Sequence, residues 1–275
     1  MPSNKRQHYL PASYLWNFSA DPSLKRLSRF IRLGDDGTQT ENITVESQCA
    51  KDYFYSKDTK MEAAEWEGLE AEWNGVIDNL SKSQPPGNMA VILIYQFLTI
   101  HLRNISFQHT DKQEDRLATF LRTRNALMEI ICGAPTNGLF SLPASWAAQV
   151  LSADDDVFAT SDNPVVMFAQ DEAHYYSFFG APITKRMWAF VFDTKKWTNF
   201  DLTASNEDDI SHLLNQVQAV VSVKSLFAAR LFPKDEADRH VELFSNRQND
   251  KYYGGDEAQF KLLNLPDHPL FPKAR

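Results

Sequence analysis

Cysteine, glycine and proline are all scarce in this chain, and each scarcity excludes a class of protein. The two cysteines among 275 residues, Cys49 and Cys132, form neither a metal-binding motif nor a disulfide framework. Ten glycines and thirteen prolines are too few for a collagen-like or low-complexity chain. Hydrophobic residues make up 43% of the sequence, which is enough for a sizeable buried core. We therefore expect a globular protein in a reducing compartment.

Long hydrophobic runs are missing as well. The N-terminal sequence MPSNKRQH contains no apolar segment of the kind that a secretory signal needs. No apolar run in the sequence reaches the roughly 18 residues that a membrane span requires. These absences predict a cytoplasmic protein without a membrane partner.

Basic residues are outnumbered by acidic ones. Twenty-eight Lys and Arg residues against thirty-six Asp and Glu residues give a net charge of −8, which disfavours a general nucleic-acid coat. Residues 1–34 nevertheless contain six basic side chains and one acidic side chain. Either this segment contributes to a site for an anionic small molecule or nucleotide, or its charges lie on a solvated face. The sequence does not decide the oligomeric state.

Hydrophobic patterning predicts an α+β fold: a predominantly helical single domain over residues 1–275 with a small, mostly antiparallel β-sheet. A C-terminal extension, residues 233–275, is expected to pack on it and to contain no element longer than a short helix. The predicted helices lie within residues 4–19, 59–83, 89–100, 112–132 and 205–221. The predicted strands lie within residues 24–33, 41–47, 157–170 and 187–192. The first two flank a predicted turn at residues 34–37 and should form a β-hairpin.

The most informative polar pattern lies in the predicted central helix, residues 89–100 and the turn that follows. Gln96, Thr99 and Arg103 are spaced three and then four residues apart, so they share one face of an otherwise apolar helix. A desolvated guanidinium without a partner costs several kcal/mol. Arg103 should therefore meet a carboxylate, backbone carbonyls or an anionic ligand.

Acidic partners for Arg103 are available in the preceding helix. Glu65 and Glu72 lie on the flank of its apolar stripe, whereas Glu67 and Asp78 point away. Glu72 is the better candidate because it lies away from the first turn. Two interpretations stay open: a structural ion pair between Glu72 and Arg103, or a site that also touches substrate.

Other polar candidates are weaker when taken alone. Arg124 lies on the apolar side of the helix 112–132. It either joins the polar residues around Arg103 or extends its charge to solvent. Asp162 and Asn163 follow a strand, a position that suits functional side chains. They also fit a turn, with Asp162 accepting backbone N–H bonds and Asn163 held extended by Pro164.

Two histidines require a choice between function and structure. His8 precedes a helix, which suits a general acid or base but also a surface or capping residue. His101 points to a different side of the central helix from Arg103, and we interpret it as a core or surface histidine.

The catalytic signatures G-x-S-x-G, P-loop, G-x-G-x-x-G, H-E-x-x-H and C-x-x-C are all missing from the sequence. The chain instead resembles the bacterial and phage-encoded family known as domain of unknown function 4238, over about residues 7–225. The resemblance is carried by Gln7-His8-Tyr9-Leu10-Pro11, Tyr14-Leu15, Asn17-Phe18, Tyr53-Phe54-Tyr55, a Glu-rich helix, Gln96 to Arg103, and Thr160 to Val165.

The resemblance implies one shared pocket but no established reaction. The residues that it brings together are His8, Glu72, Gln96, Arg103, Asp162 and Asn163. Where the family shows Arg-Thr-Pro, this chain has Arg103-Asn104-Ile105, so the end of the helix is expected to differ.

The leading hypothesis is an enzyme, a hydrolase or nuclease-like protein, that acts on a phosphate-bearing substrate. His8 would be the general acid or base, Arg103 would stabilise negative charge, and Glu72 would position Arg103. Asp162 would orient His8 or hold a divalent metal, the one cofactor that the pattern suggests. The expected substrate-binding residues are Gln96, Thr99, Asn163 and Arg124.

The competing hypothesis is a non-catalytic sensing or interaction module. In that case the buried polar residues form a network that specifies the fold.

Overall fold

A computed structural model describes residues 6–21, 27–32, 38–52, 73–80, 88–108, 116–137, 139–169, 176–197, 200, 207–222 and 225–248. Its helices are α1 (Ala12–Trp16), α2 (residues 73–80), α3 (Met89–Gln108), α4 (Arg116–Cys132), α5 (Glu207–Val221) and α6 (Lys234–Gln248). Its strands are β1 (Arg6–His8), β2 (Leu27–Arg32), β3 (Gln39–Thr44), β4 (Ala50–Asp52), β5 (Trp146–Ser152), β6 (Thr160–Ser161), β7 (Val166–Ala169), β8 (Tyr176–Thr184), β9 (Met187–Asp193) and β10 (Ser225–Ala228).

The strands form three sheets, so the fold is α+β as predicted. The strand orders are β1-β4, β3-β2-β10-β6 and β5-β9-β8-β7. Every pairing between these strands is antiparallel. The prediction of one small sheet is wrong, because β1, β4, β5, β8 and β10 were not recognised. Strand β8 contains Gly180 and Pro182, which are unfavourable in strands, and it is stabilised by pairing with both β7 and β9.

The sheet β5-β9-β8-β7 is covered on both faces, and this defines the two main cores. Phe179 and Val191 pack with residues of α1, α2 and α3 in the first core. Phe178 and Phe190, which alternate with them, pack with α5 in the second core. The prediction that residues 187–192 form a strand buried on both faces is confirmed.

Helix α3 passes through the first core, as the apolar sequence predicted. Leu93, Ile94, Phe97 and Leu98 are all fully buried on different sides of it. A helix that is apolar all round needs such an environment, because any exposed side would leave hydrophobic surface in water. The polar face of α3 is therefore carried into the interior.

Several element boundaries agree with the sequence, and one does not. Helix α4 ends where Gly133 adopts a left-handed conformation with φ of +78°. Strands β2 and β3 pair as the predicted hairpin, with a register shift between Ser28 and Phe30. The predicted absence of a long element after Pro233 is wrong, since α6 has 15 residues. It is amphipathic, with Ala237, Leu243 and Phe244 buried.

Three sequence predictions concern residues outside the described ranges. These are the helix before residue 73, the turn at residues 34–37 and the chain after residue 248. The single-domain organisation stays a prediction. Within the described residues, none of the helices has the length and apolar character needed to cross a membrane.

Candidate functional site

Arg103 is the buried cation that the sequence predicted. Its side chain is 2% exposed on α3. One terminal nitrogen of its guanidinium donates a hydrogen bond to the backbone carbonyl of His8 at the end of β1. A backbone carbonyl was one of the three predicted kinds of partner. The contact joins the central helix to the N-terminal segment, 95 residues earlier in the sequence.

A small cavity lies beside this contact. Its lining contains α1 and α2 residues together with the polar face of α3: Pro11, Tyr14, Trp73, Gln96, Thr99, Ile100 and Arg103. The volume open to the centre of a water-sized sphere is about 10 Å³. A cavity of this volume holds about one water molecule. One oxygen atom of a ligand fits a space of this size, whereas a nucleobase does not. The predicted face of Gln96, Thr99 and Arg103 thus borders one cavity.

Two hydroxyl groups on the cavity wall already have partners. The Thr99 hydroxyl donates to the carbonyl of Tyr95 at 2.8 Å, an ordinary contact within a helix. The Tyr14 hydroxyl donates to the carbonyl of Pro182 at 2.7 Å and lies 2.7 Å from the Thr160 hydroxyl. Burial raises the pKa of Tyr14 well above its usual value, so this phenol stays protonated.

His8 reaches Arg103 through its backbone. The residue is half-buried, and its Cα pairs with Ala50 across the two-stranded sheet β1-β4. The bond from Arg103 fixes the position of the His8 backbone relative to α3. The proposed catalytic role of the His8 imidazole stays a prediction.

Asp162 acts on Cys49, a residue near the N-terminal segment that the sequence did not suggest as part of a site. Burial raises the pKa of the Cys49 thiol well above its usual value, and the negative charge of Asp162 raises it further. The Cys49 carbonyl accepts the N–H of Tyr9 at 2.8 Å, directly after His8. The charge of Asp162 thus acts on a residue whose backbone holds the segment that contacts Arg103. It is a protonated thiol at neutral pH, not a nucleophile.

Asp162 also has a structural contact. Its carboxylate accepts the backbone N–H of Ser225 at 3.2 Å, while its own N–H donates to the Ser225 carbonyl at 3.1 Å. These bonds attach β6 to the start of β10. They match the turn interpretation, in which Asp162 accepts backbone N–H bonds.

Asn163 and its neighbours are attached to α5. The Asn163 side-chain amide donates to the carbonyl of Val221 at 3.0 Å. Gln218 accepts the Ser161 hydroxyl at 2.9 Å and donates to the Pro164 carbonyl at 2.8 Å. We call this group, Ser161, Asn163, Pro164, Gln218 and Val221, the α5 latch. Sequence reasoning missed Gln218 because a glutamine in a predicted helix gives no signal of a partner more than fifty residues away.

Arg124 lies among aromatic rings between α3 and α4. It is 6% exposed, and its guanidinium carbon is 4.3 Å from the ring centre of Tyr95 and 5.1 Å from that of Phe120. The alternative that it extends its charge to solvent is therefore wrong. The aromatic faces favour the buried cation electrostatically. Arg124 is not part of the cavity lining formed by the described residues.

The remaining candidates divide between described and undescribed residues. Glu65, Glu67 and Glu72 lie outside the described residues. Asp78 is exposed on α2, in line with the prediction that it points away. His101 is a core histidine, and burial lowers its pKa to about 4, so it is neutral at pH 7.

No metal centre is formed by the part of the chain that the structure describes. Among those residues, no group of three or more His, Cys, Asp or Glu side chains has an arrangement that would hold a metal ion. Asp162, the predicted metal-binding candidate, instead contacts the β10 backbone.

Comparison with known proteins gives one family match. Residues 6–129 match the family described as protein of unknown function (DUF4238). This range includes His8, the cavity lining and Arg103, and it ends before Ser161. No curated protein and no solved structure gives a significant match. The family match therefore covers the Arg103 side of the site and not the α5 latch.

Proposed function

Because the chain belongs, through residues 6–129, to the DUF4238 family of proteins of unknown function, we propose its function from the chemistry of its own cavity. The cavity beside Arg103 binds one oxyanion group of a small phosphate-bearing substrate. The protein is an enzyme that transfers or hydrolyses that phosphate.

The observation that carries this proposal is the position of Arg103, a fully buried cation in the wall of a cavity. Guanidinium groups recognise phosphate oxygens because several N–H donors diverge from one plane. The attraction is stronger in a desolvated site than in water, since the effective dielectric constant is lower. Gln96 adds a second buried polar side chain to the same wall.

The size of the cavity limits what enters. Space for about one water molecule accepts a phosphate oxygen, while the rest of the substrate extends away from the buried wall. Phosphate recognition is thus expected to be separate from recognition of a base or sugar. A nucleotide and a simpler phosphate ester should both bind through the same group.

The chemistry that we propose is attack of water on phosphorus. His8, which joins the Arg103 contact through its carbonyl, takes a proton from the water or donates one to the leaving oxygen. Arg103 stabilises the charge on the phosphate oxygens as the bond breaks. Asp162 orients His8 or holds a divalent ion that accompanies the substrate, and Glu72 positions Arg103.

A second candidate, a non-catalytic sensing module, is favoured by a specific observation. Asp162 and Asn163 both contact the backbone, at Ser225 and Val221. Side chains used in this way stabilise the fold and need no substrate to explain them. In that case the cavity binds the anion, but no bond is broken.

A thermal-shift screen separates binding from its absence. Nucleoside phosphates, with and without Mg²⁺, should raise the melting temperature of the wild-type protein and not that of Arg103→Met. Arg239→Met is the matched control, because Arg239 is exposed on α6 and pairs there with the exposed Glu242. The proposal fails if no phosphate compound stabilises the wild type.

Phosphate release then separates the enzyme from the module. Wild-type protein should release inorganic phosphate from a bound ester, and His8→Asn should keep binding while release falls by about a hundredfold or more. Binding without release by the wild type would favour the sensing module. Equal release by His8→Asn and wild type would exclude His8 as the acid or base.

A further inference from the structure

Trp73 is a cavity residue that the sequence did not identify as functional. It opens the described part of α2 and is 3% exposed. Its ring packs against Tyr14, with 5.4 Å between the ring centres. Trp73 and Tyr14 both line the cavity beside Arg103. The indole is therefore held rigidly at the wall of the proposed phosphate site.

The indole N–H of Trp73 has no hydrogen-bond acceptor among the described residues. Its Nε1 is buried and unpartnered, as are the Nε1 atoms of Trp16 and Trp188. Buried tryptophan N–H groups usually donate to an acceptor, because a donor that loses its hydrogen bonds to water without replacing them destabilises the folded state. Of these three tryptophans, only Trp73 borders the described cavity lining. The acceptor for Trp73 can therefore be supplied by whatever enters the cavity.

Among the described residues, no neighbouring wall group accepts a hydrogen bond from the Trp73 indole. The Thr99 and Tyr14 hydroxyls donate to the backbone carbonyls of Tyr95 and Pro182. Arg103 carries only donors and a positive charge. The residues that line the cavity therefore include N–H donors on two helices, Trp73 on α2 and both Gln96 and Arg103 on α3. Such a wall suits a ligand group made of acceptor oxygens.

We propose that Trp73 is a specificity-determining residue, whose indole N–H donates to an oxygen of the bound phosphate group. This inference rests on the proposed function, because it assigns a second contact within the same site. It assigns two donors, Arg103 and Trp73, to the one phosphate oxygen for which the cavity has space. Ammonium and other donor-only groups are rejected.

Indole resonances test this contact directly in the wild-type protein. The six tryptophans give separate indole N–H signals in a ¹H–¹⁵N spectrum, and the signal lost in Trp73→Phe identifies Trp73. Titration with inorganic phosphate at constant ionic strength should shift the Trp73 indole proton downfield. The Trp188 signal, assigned in the same way with Trp188→Phe, should stay in place, because Trp188 packs in the second core.

Binding constants give the size of the effect. Trp73→Phe keeps an aromatic ring against Tyr14 and removes the N–H together with part of the indole, and Trp188→Phe makes the same change in another buried place. Hydrogen bonds to charged groups are worth about 1.5–3 kcal/mol, so the phosphate Kd should rise about ten- to a hundredfold. Trp188→Phe removes an equally unmet N–H outside the cavity and should leave the Kd unchanged. The smaller ring should lower the unfolding free energy without phosphate in both variants, because each loses buried volume, so only the change in Kd is specific to Trp73.

The outcomes distinguish this inference from the proposal on which it depends. If phosphate binds with a dependence on Arg103 while the Trp73 signal and the Trp73→Phe Kd do not change, the Trp73 contact is wrong and the phosphate site stands. If no phosphate binding occurs in the wild type, both are wrong. A shift of the Trp73 signal together with a weakened Trp73→Phe supports both.

Discussion

At the scale of single residues, the sequence predicted which polar groups are buried better than which partners they have. An arginine on the face of an all-apolar helix has to be desolvated, so the burial of Arg103 follows from spacing alone. The partner that the structure shows, the carbonyl of His8, is a backbone atom brought in by chain topology. Side-chain patterns contain no information about such an atom. The same holds for Trp73. Its proposed role depends on an indole N–H that has no acceptor among the described residues, and no sequence motif signals that.

Tyr14 shows how much one polar atom contributes in the first core. Tyr14→Phe removes the hydroxyl that donates to Pro182 and contacts Thr160, and leaves both buried partners short of one bond. The free energy of unfolding should fall by about 1–3 kcal/mol. Urea denaturation measures it, and a double-mutant cycle with Thr160→Val should show coupling between the two hydroxyls. Independent effects of the two substitutions would contradict the hydrogen bond.

At the scale of elements, helix α5 and the Ser-Asp-Asn-Pro turn form one structural unit. The turn chemistry of residues 161–164 could be read from the sequence, because asparagine before proline favours an extended backbone. The α5 latch could not, since its contacts join segments more than fifty residues apart. Asn215 extends the same helix face, where its side chain accepts the N–H of Ala159 and donates to the carbonyl of Val157. Polar residues on the buried face of α5 therefore hold the segment that precedes β6 in position.

Gln218→Ala tests the α5 latch. Its loss leaves the Ser161 hydroxyl and the Pro164 carbonyl without their Gln218 contacts in a buried place. We expect the free energy of unfolding to fall by about 2–4 kcal/mol. Gln216→Ala is the matched control, because Gln216 is only partly buried on the same helix. If the two variants are equally stable, the latch contributes nothing.

At the scale of the whole molecule, two cores share one antiparallel sheet. The burial of β9 on both faces was predicted from its continuous apolar sequence, whereas β8 was missed because its glycine and proline conceal the pattern. Two neutral histidines lie within this interior. His101 is in α3, and His240 in α6 packs edge-on against Phe232 with ring centres 4.8 Å apart. Their protonation affects the stability of the whole fold.

Acid should destabilise the protein between about pH 6.5 and pH 4. Burial lowers the pKa of both His101 and His240 to about 4, and the nearby His212 contributes at His240. The unfolded chain binds these protons first, because its histidines have pKa values near 6.5. Stability is therefore full above pH 6.5 and falls with pH, by up to about 3 kcal/mol per histidine.

Urea denaturation across this pH range measures the effect. His240→Leu removes one of the two titrations, so its free energy of unfolding should fall less steeply between pH 6.5 and pH 4.5 than that of the wild type. His212, which lowers the pKa of His240, lies 3.5 Å from Glu236, and Glu236 also contacts Arg230 at 4.0 Å. Equal slopes for the two proteins would show that His240 is not buried in its neutral form.

The central claim is that Arg103 stands beside a phosphate site, and unfolding with and without phosphate tests it most directly. A ligand that binds only the native state raises the free energy of unfolding by RT ln(1 + [L]/Kd), about 2.7 kcal/mol at a hundred times Kd. We predict this increment for the wild type and its loss in Arg103→Lys, which keeps the charge but not the planar set of donors. An equal increment in both proteins, or none in the wild type, would contradict the account.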